Sequence, residues 1–193
     1  MKYIYPENVD KPGLTRLIQE FIHKWHHPDL SARDIPHLPP FYEKITIHTS
    51  AIATFHAPSD PSGIGSMKHE HIHTVKHWRK GPGCYDTLFI NTAHDNTESD
   101  GGLLSSTSVH RIIGLEVAQV HLFFSFTLDG EKCPCMLVHW FSCIGDTPSD
   151  VTGMHIVEPD RLPTGQPVTS VVHLDTIFRA AHLMPVFTII PPC

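Results

Sequence analysis

The clearest periodicity along the chain lies in residues 13–27, GLTRLIQEFIHKWHH. Leu14, Leu17, Ile18, Phe21, Ile22 and Trp25 recur at i, i+3, i+4 and i+7, the spacing that places apolar side chains on one face of an α-helix. Pro12 suits a first turn, where no backbone N–H is required, and Pro28 ends the element. Residues 28–42 hold four prolines and no period, so they read as an extended connector.

Beyond the connector the pattern changes to strands. Residues 44–57, KITIHTSAIATFHA, alternate roughly and are rich in Ile, Thr and Phe, which predicts one or two strands. YDTLFIN (85–91) predicts another. Residues 92–110 are polar, with Gly-Gly and many serines, and read as a variable loop. The strongest β signal is GLEVAQVHLFFSFTL (114–128), then Asp129-Gly130, then EKCPCMLVHWFSCIG (131–145). Asp-Gly between two such runs predicts a hairpin, because both central residues of a type I′ turn need positive φ. HIVEPD (155–160) and VTSVVHL (168–174) predict short strands. DTIFRAAHL (175–183) suggests one or two helical turns with Asp175 as N-cap, and MPVFTII follows. The fold class expected is mainly β (α+β): a curled antiparallel sheet or small barrel with an N-terminal helix. Residues 1–42 would form the helix and connector, and 43–193 the β-rich domain.

Histidine supplies the first candidate chemistry. MKHEHIHTVKHW (67–78) carries His69, His71, His73 and His77. On a strand His69, His71 and His73 would share a face; on a helix His69, His73 and His77 would. HEHIH lacks the HExxH spacing of a metalloprotease. In a chain with 17 histidines the bland reading is a partly exposed cluster that ligates nothing. Cys133 and Cys135 would share a strand face and could share a metal. The usual CxxC spacing is missing, however, and Pro134 suggests an edge or bulge. The pair therefore reads as small apolar residues. A more diffuse set is His139, His173, His182 and Asp175. If the strands bring these together they could hold zinc or act as acid and base; otherwise they are histidines satisfied within a β core. No G-x-S-x-G and no P-loop is present.

Composition narrows the classes. With 40% hydrophobic and 18% charged residues the chain is globular, and its 17 prolines imply short elements and many loops. The net charge of −6 lacks the basic balance of a strong nucleic-acid binder. One local basic stretch remains, KHWRK (76–80), which makes Trp78, Arg79 and Lys80 the binding candidates. Five cysteines, an odd number without framework spacing, argue against a disulfide scaffold and for reduced thiols inside a cell. MKYIYPENVDKPG has no apolar signal region, and no run approaches the roughly 18 apolar residues of a membrane span.

Several stretches together resemble one family. IHTSAIATFHAPSDPSGIGSMKHEHIH, WRKGPGCYD, VAQVHLFFSFTLDGEKCPCMLVHWF, GDTPSDVTGMHIVEPD and VVHLDTIFRAAHLMPVF are similar, in that order, to the C-terminal region of fungal Plavaka-type transposon-encoded proteins. The likeness runs from about Gly13 to Phe187 and weakens at 92–110. It implies a mobile-element protein of the nucleus, but the family's catalytic core lies upstream of this region. In the family pattern arginine stands where this chain has His69 and His73, and an aromatic stands where it has Cys133. His139, His173 and His182 fit the pattern. The order of strands and turns also resembles the chromatin-binding bromo-adjacent homology fold, an analogy of fold alone. The function expected is thus a non-catalytic module contacting chromatin or protein, with weak direct nucleic-acid binding at most, no membrane partner and no required cofactor. The alternatives are a metal-dependent hydrolase or nuclease built on the His/Asp set, and an inactive relic.

Overall fold

The computed structural model describes residues 2–28, 38, 40–57, 67–77, 81–91, 115–145 and 147–186. Trp78, Arg79, Lys80 and the variable loop at 92–110 lie outside these. In chain order the elements are Lys2–Ile4 (β1), Leu14–His26 (α1), Ile45–His48 (β2), Ser50–His56 (β3), Met67–Val75 (β4), Cys84–Tyr85 (β5), Thr87–Ile90 (β6), Glu116–Leu128 (β7), Glu131–Cys143 (β8), Val157–Pro159 (β9), Thr169–His173 (β10) and Ile177–Ala181 (β11).

The β7–β8 hairpin is the spine. Asp129 and Gly130 have φ of 53° and 84°, the positive pair that a two-residue hairpin turn needs. That turn fixes the register, starting from Leu128 opposite Glu131. Hydrogen-bonded and non-hydrogen-bonded pairs alternate from there, so the Ser125–Pro134 pair is non-hydrogen-bonded. Pro134 therefore costs no bond to β7. Its nitrogen faces the outer edge of β8, one residue beyond the last pair with β10, which is His173 with Cys135.

Each arm of the hairpin has 13 residues, and shorter strands line its outer edges end to end. β6 pairs with Glu116–Gln119 of β7 and β2 with Phe123–Ser125. On the other edge, β10 pairs with Cys135–His139 of β8 and β9 with Phe141–Cys143. β1 extends the sheet beyond β2, and β11 beyond β6. All pairings are antiparallel, and the sheet does not close into a barrel. That settles the choice between curled sheet and barrel.

Both faces of the hairpin are covered, which is why β7 and β8 read as nearly continuous apolar runs. On one face Phe124, Phe126, Cys133, Cys135 and Leu137 meet Leu14 and Ile18 of α1. Phe21 and Phe41 stand edge-on to Phe126, with centroids at 6.4 and 5.3 Å. On the other face Val120, Phe123, Met136 and Val138 meet Ala53 and Ile72 of a second sheet, β3–β4–β5. Glu70 of β4 ties that sheet to the first by accepting a 2.8 Å bond from the Ala180 N–H of β11.

One expectation needs correcting, and one open choice is settled. Of residues 175–183 only Asp175 and Thr176 are helical. Leu174–Thr176 form a single 3₁₀ turn, and the chain then continues as β11. Asp175 is not its cap: the His173 ring accepts from the Asp175 N–H at 3.3 Å. The four-histidine stretch is strand β4, so His69, His71 and His73 share its outward face and His77 lies beyond its end.

Ile18 is wholly buried between helix and sheet, whereas Arg16 is exposed and paired with Glu20. Ile18→Ala is expected to lower unfolding stability by about 2–5 kcal/mol and Arg16→Ala by less than about 0.5 kcal/mol, read by urea denaturation. A loss below about 1 kcal/mol for Ile18→Ala would remove α1 from the folded core.

Candidate binding cleft

A cleft forms where the outer edge of β7 passes from β6 to β2. Val120 pairs with Val138 and Leu122 with Leu137, so His121 is an extra residue bulged out of the ladder. The bulge changes which residues lie on the helix side of the sheet, from Val117 and Gln119 before it to Leu122 and Phe124 after it. The Val120 N–H turns to the Asp86 carbonyl at 2.9 Å, bridging the gap between the two flanking strands. The opening is about 500 Å³, within the usual range for ligand pockets. Its apolar walls are Ile4, Val9, Ile47, Val75 and Leu122; its polar groups include Asp10, Lys11, His48, Lys76, His77, Tyr85 and His121.

Asp86 organises one side of this cleft. Its carboxylate accepts from the His73 N–H at 2.7 Å and from the Cys84 thiol at 3.5 Å, while its own N–H donates to the His73 carbonyl at 3.1 Å. Burial, then the Asp86 charge, pushes the Cys84 thiol up. Gln119 holds the Tyr85 carbonyl at 3.2 Å. Gly83 leaves no room for a side chain, since a Cβ there would come within 2.7 Å of the Tyr85 ring. Tyr85 is thereby held against His121, with ring centroids 5.3 Å apart, and His121 lies 5.9 Å from His139.

The cationic groups come from distant segments. Lys76 bonds Asp10 at 2.9 Å, an exposed pair that holds the Asp10 carboxyl below its ordinary range. Lys11 sits half-buried, its ammonium 5.5 Å from the centre of the Tyr85 ring. Burial, and secondarily the Lys76 charge, lowers its pKa against the opposing pull of Asp10. His48 shares a 3.1 Å bond with Ser125, and burial followed by the Lys132 charge lowers its pKa. Burial lowers His121 most, to about 4, with Lys11 and His139 adding to the shift.

The residues proposed as a metal or acid–base set are not brought together. His139 is buried, and its Nε2 donates to the Asp160 carbonyl at 3.1 Å. It pairs with Thr169 and His173 with Cys135, four residues further along β8, roughly 13 Å on a strand. His173 and Asp175 do meet, Nδ1 to Oδ2 at 3.4 Å. His182 is exposed just past β11, on the side of the sheet that carries β6. Among the described residues no group of three or more His, Cys, Asp or Glu could hold a metal ion. Of the basic stretch 76–80, Lys76 and His77 are described, and both line the cleft. Compared with protein-family models, curated proteins and solved structures, the chain matches none. No helix among the described residues is long and apolar enough to cross a membrane.

Lys11, Tyr85 and His121 carry no signal of a site in the sequence. Only the bulge and the strand handover unite them.

Because His121 is held near 4 when folded against about 6.5 when unfolded, the unfolded chain binds the proton more readily between those values. Its contribution is intact above pH 6.5 and is lost as pH falls toward 4, with a slope of at most about 1.4 kcal/mol per pH unit, reduced by solvent exposure. His121→Gln is expected to flatten the pH dependence of the urea midpoint in that window; an unchanged slope would place the ring in solvent.

Proposed function

We propose that the chain is a non-catalytic interaction module, derived from the C-terminal region of a fungal transposon protein, that contacts chromatin or protein through the cleft. The observation that carries this reading is charge held against apolar walls. Two lysines line the opening, and among its described residues Asp10 is the single carboxylate. Asp10 is bonded to Lys76, while Lys11 is half-buried and its charged form disfavoured by that burial. A carboxylate presented by a partner would supply the missing countercharge in a partly desolvated place, where an ion pair is worth more than at a free surface. The apolar walls would take the rest of the segment.

Two further points support the reading. The basic stretch runs on from Lys76 and His77 into Trp78, Arg79 and Lys80, extending the same chemistry along the chain. The resemblance to the transposon proteins supplies the nuclear setting in which an acidic chromatin surface would be met. The overall charge of −6 favours an acidic protein surface recognised locally over bulk attraction to nucleic acid.

Reconstituted nucleosomes titrated by fluorescence anisotropy provide the test. The protein is expected to bind with an affinity that falls as salt rises. Lys11→Glu should weaken binding tenfold or more, about 1.4 kcal/mol. The double substitution Trp78→Ala, Arg79→Ala should weaken it further. Equal binding by the parent chain and Lys11→Glu would remove the cleft from the interaction; no binding to nucleosomes or to any nuclear protein tested would overturn the reading altogether.

A further inference from the structure

The cleft holds a titratable ring that the fold leaves without a hydrogen bond. His121, the bulged residue of β7, lines the opening with Lys11, His48 and Tyr85. Among the described residues neither of its ring nitrogens has a hydrogen-bond partner, and neither is sealed from solvent. By contrast His48 bonds Ser125, and His139 bonds the Asp160 carbonyl. His121 therefore offers the cleft a donor and an acceptor that folding does not use.

The surroundings of the ring decide its charge. Tyr85 of β5 stands 5.3 Å from it and His139 of β8 5.9 Å. The Lys11 ammonium lies 5.5 Å from the centre of the same Tyr85 ring. Further round the opening are His48 of β2, Lys76 and His77 beyond β4, and Asp10. The two carboxylates on this side are engaged elsewhere, Asp10 with Lys76 and Asp86 with the His73 N–H and the Cys84 thiol. An imidazolium would thus meet Lys11 with no anion to offset it. Burial first, then Lys11 and His139, lower the His121 pKa to about 4, so the protein by itself keeps the ring neutral at pH 7. A carboxylate brought into the cleft reverses that balance. It opposes the Lys11 charge and accepts from an imidazolium N–H, a charge-assisted hydrogen bond that the protein does not supply.

We propose, building on the cleft as the docking site, that an acidic segment entering it binds together with a proton, which His121 takes up as it donates to the incoming carboxylate. One N–H bond forms on the imidazole, the proton comes from solvent, and no other bond changes. The docked complex then holds more proton than the separate partners, so affinity rises as pH falls below neutrality. The contact is strengthened by acidification.

The test is NMR of the histidine ring signals of the full chain, with a capped peptide of alternating glutamate and leucine as probe and its glutamine counterpart as the neutral control. The His121 signal is assigned with His121→Gln. Its titration midpoint should lie about one pH unit or more higher with the acidic peptide bound than without it. By calorimetry the acidic peptide should bind about threefold more tightly at pH 5.5 than at pH 7.5, a window in which its own carboxylates stay ionised. Folded His121→Gln should lose that gain, and the neutral peptide should leave the midpoint unmoved. A midpoint unmoved by the bound acidic peptide, moved equally by the neutral one, or a gain kept in His121→Gln would overturn the proton uptake and leave the cleft as the docking site. Failure of the acidic peptide to bind, or binding unchanged by Lys11→Glu, would overturn the cleft reading and the proton uptake together.

Discussion

The rest of the structure depends on the two positive φ angles at Asp129 and Gly130. They make the turn two residues long, and a turn of that length allows one register between β7 and β8. A slip of one residue would turn Phe124 and Phe126 away from α1 while Cys135 and Leu137 still faced it, dividing both cores at once. The turn also fixes where Pro134 may stand, and it makes Cys133 and Cys135 neighbours on the helix-facing side.

Much of this fold was legible in the sequence, and the reasons differ by element. Helix α1 was readable within a residue because six apolar positions keep one period over about three turns and prolines bound both ends. The hairpin was readable because Asp-Gly has a specific backbone demand. The histidine stretch was not decidable, since His69, His71, His73 and His77 satisfy both periods. Only its pairing with β3, with Ser50 opposite His73 and Thr54 opposite His69, makes it a strand. Residues 175–183 misled because an aspartate before a short apolar run imitates a capped helix; pairing of Ile177–Ala181 with β6 overrides that propensity. β1 was missed because three residues carry too little pattern to count.

The candidate site was far less legible than the fold. The cleft joins Lys11 to Tyr85 and His121 across more than a hundred residues, and no spacing rule connects such positions. The bulge at His121 has no glycine or proline to announce it. Its setting is tertiary: it lies on β7 between the stretch paired with β6 and the stretch paired with β2. The diffuse histidine set failed for the converse reason. His139 and His173 do face the same side of the sheet, as alternation implied, but they sit four residues apart along β8, and each spends a ring nitrogen on backbone.

The cleft follows from a mismatch of lengths. A 13-residue hairpin arm spans roughly 40 Å, and among the described residues no strand flanking it exceeds five residues. Where two flanking strands abut on β7, backbone groups turn inward to Asp86, a side chain bulges out, and the cleft appears. Where β10 stops short on β8, Pro134 is tolerated because no donor is wanted there. The covered middle of the hairpin is filled with Val120, Phe123, Phe124, Met136 and Val138, which offer packing and no chemistry.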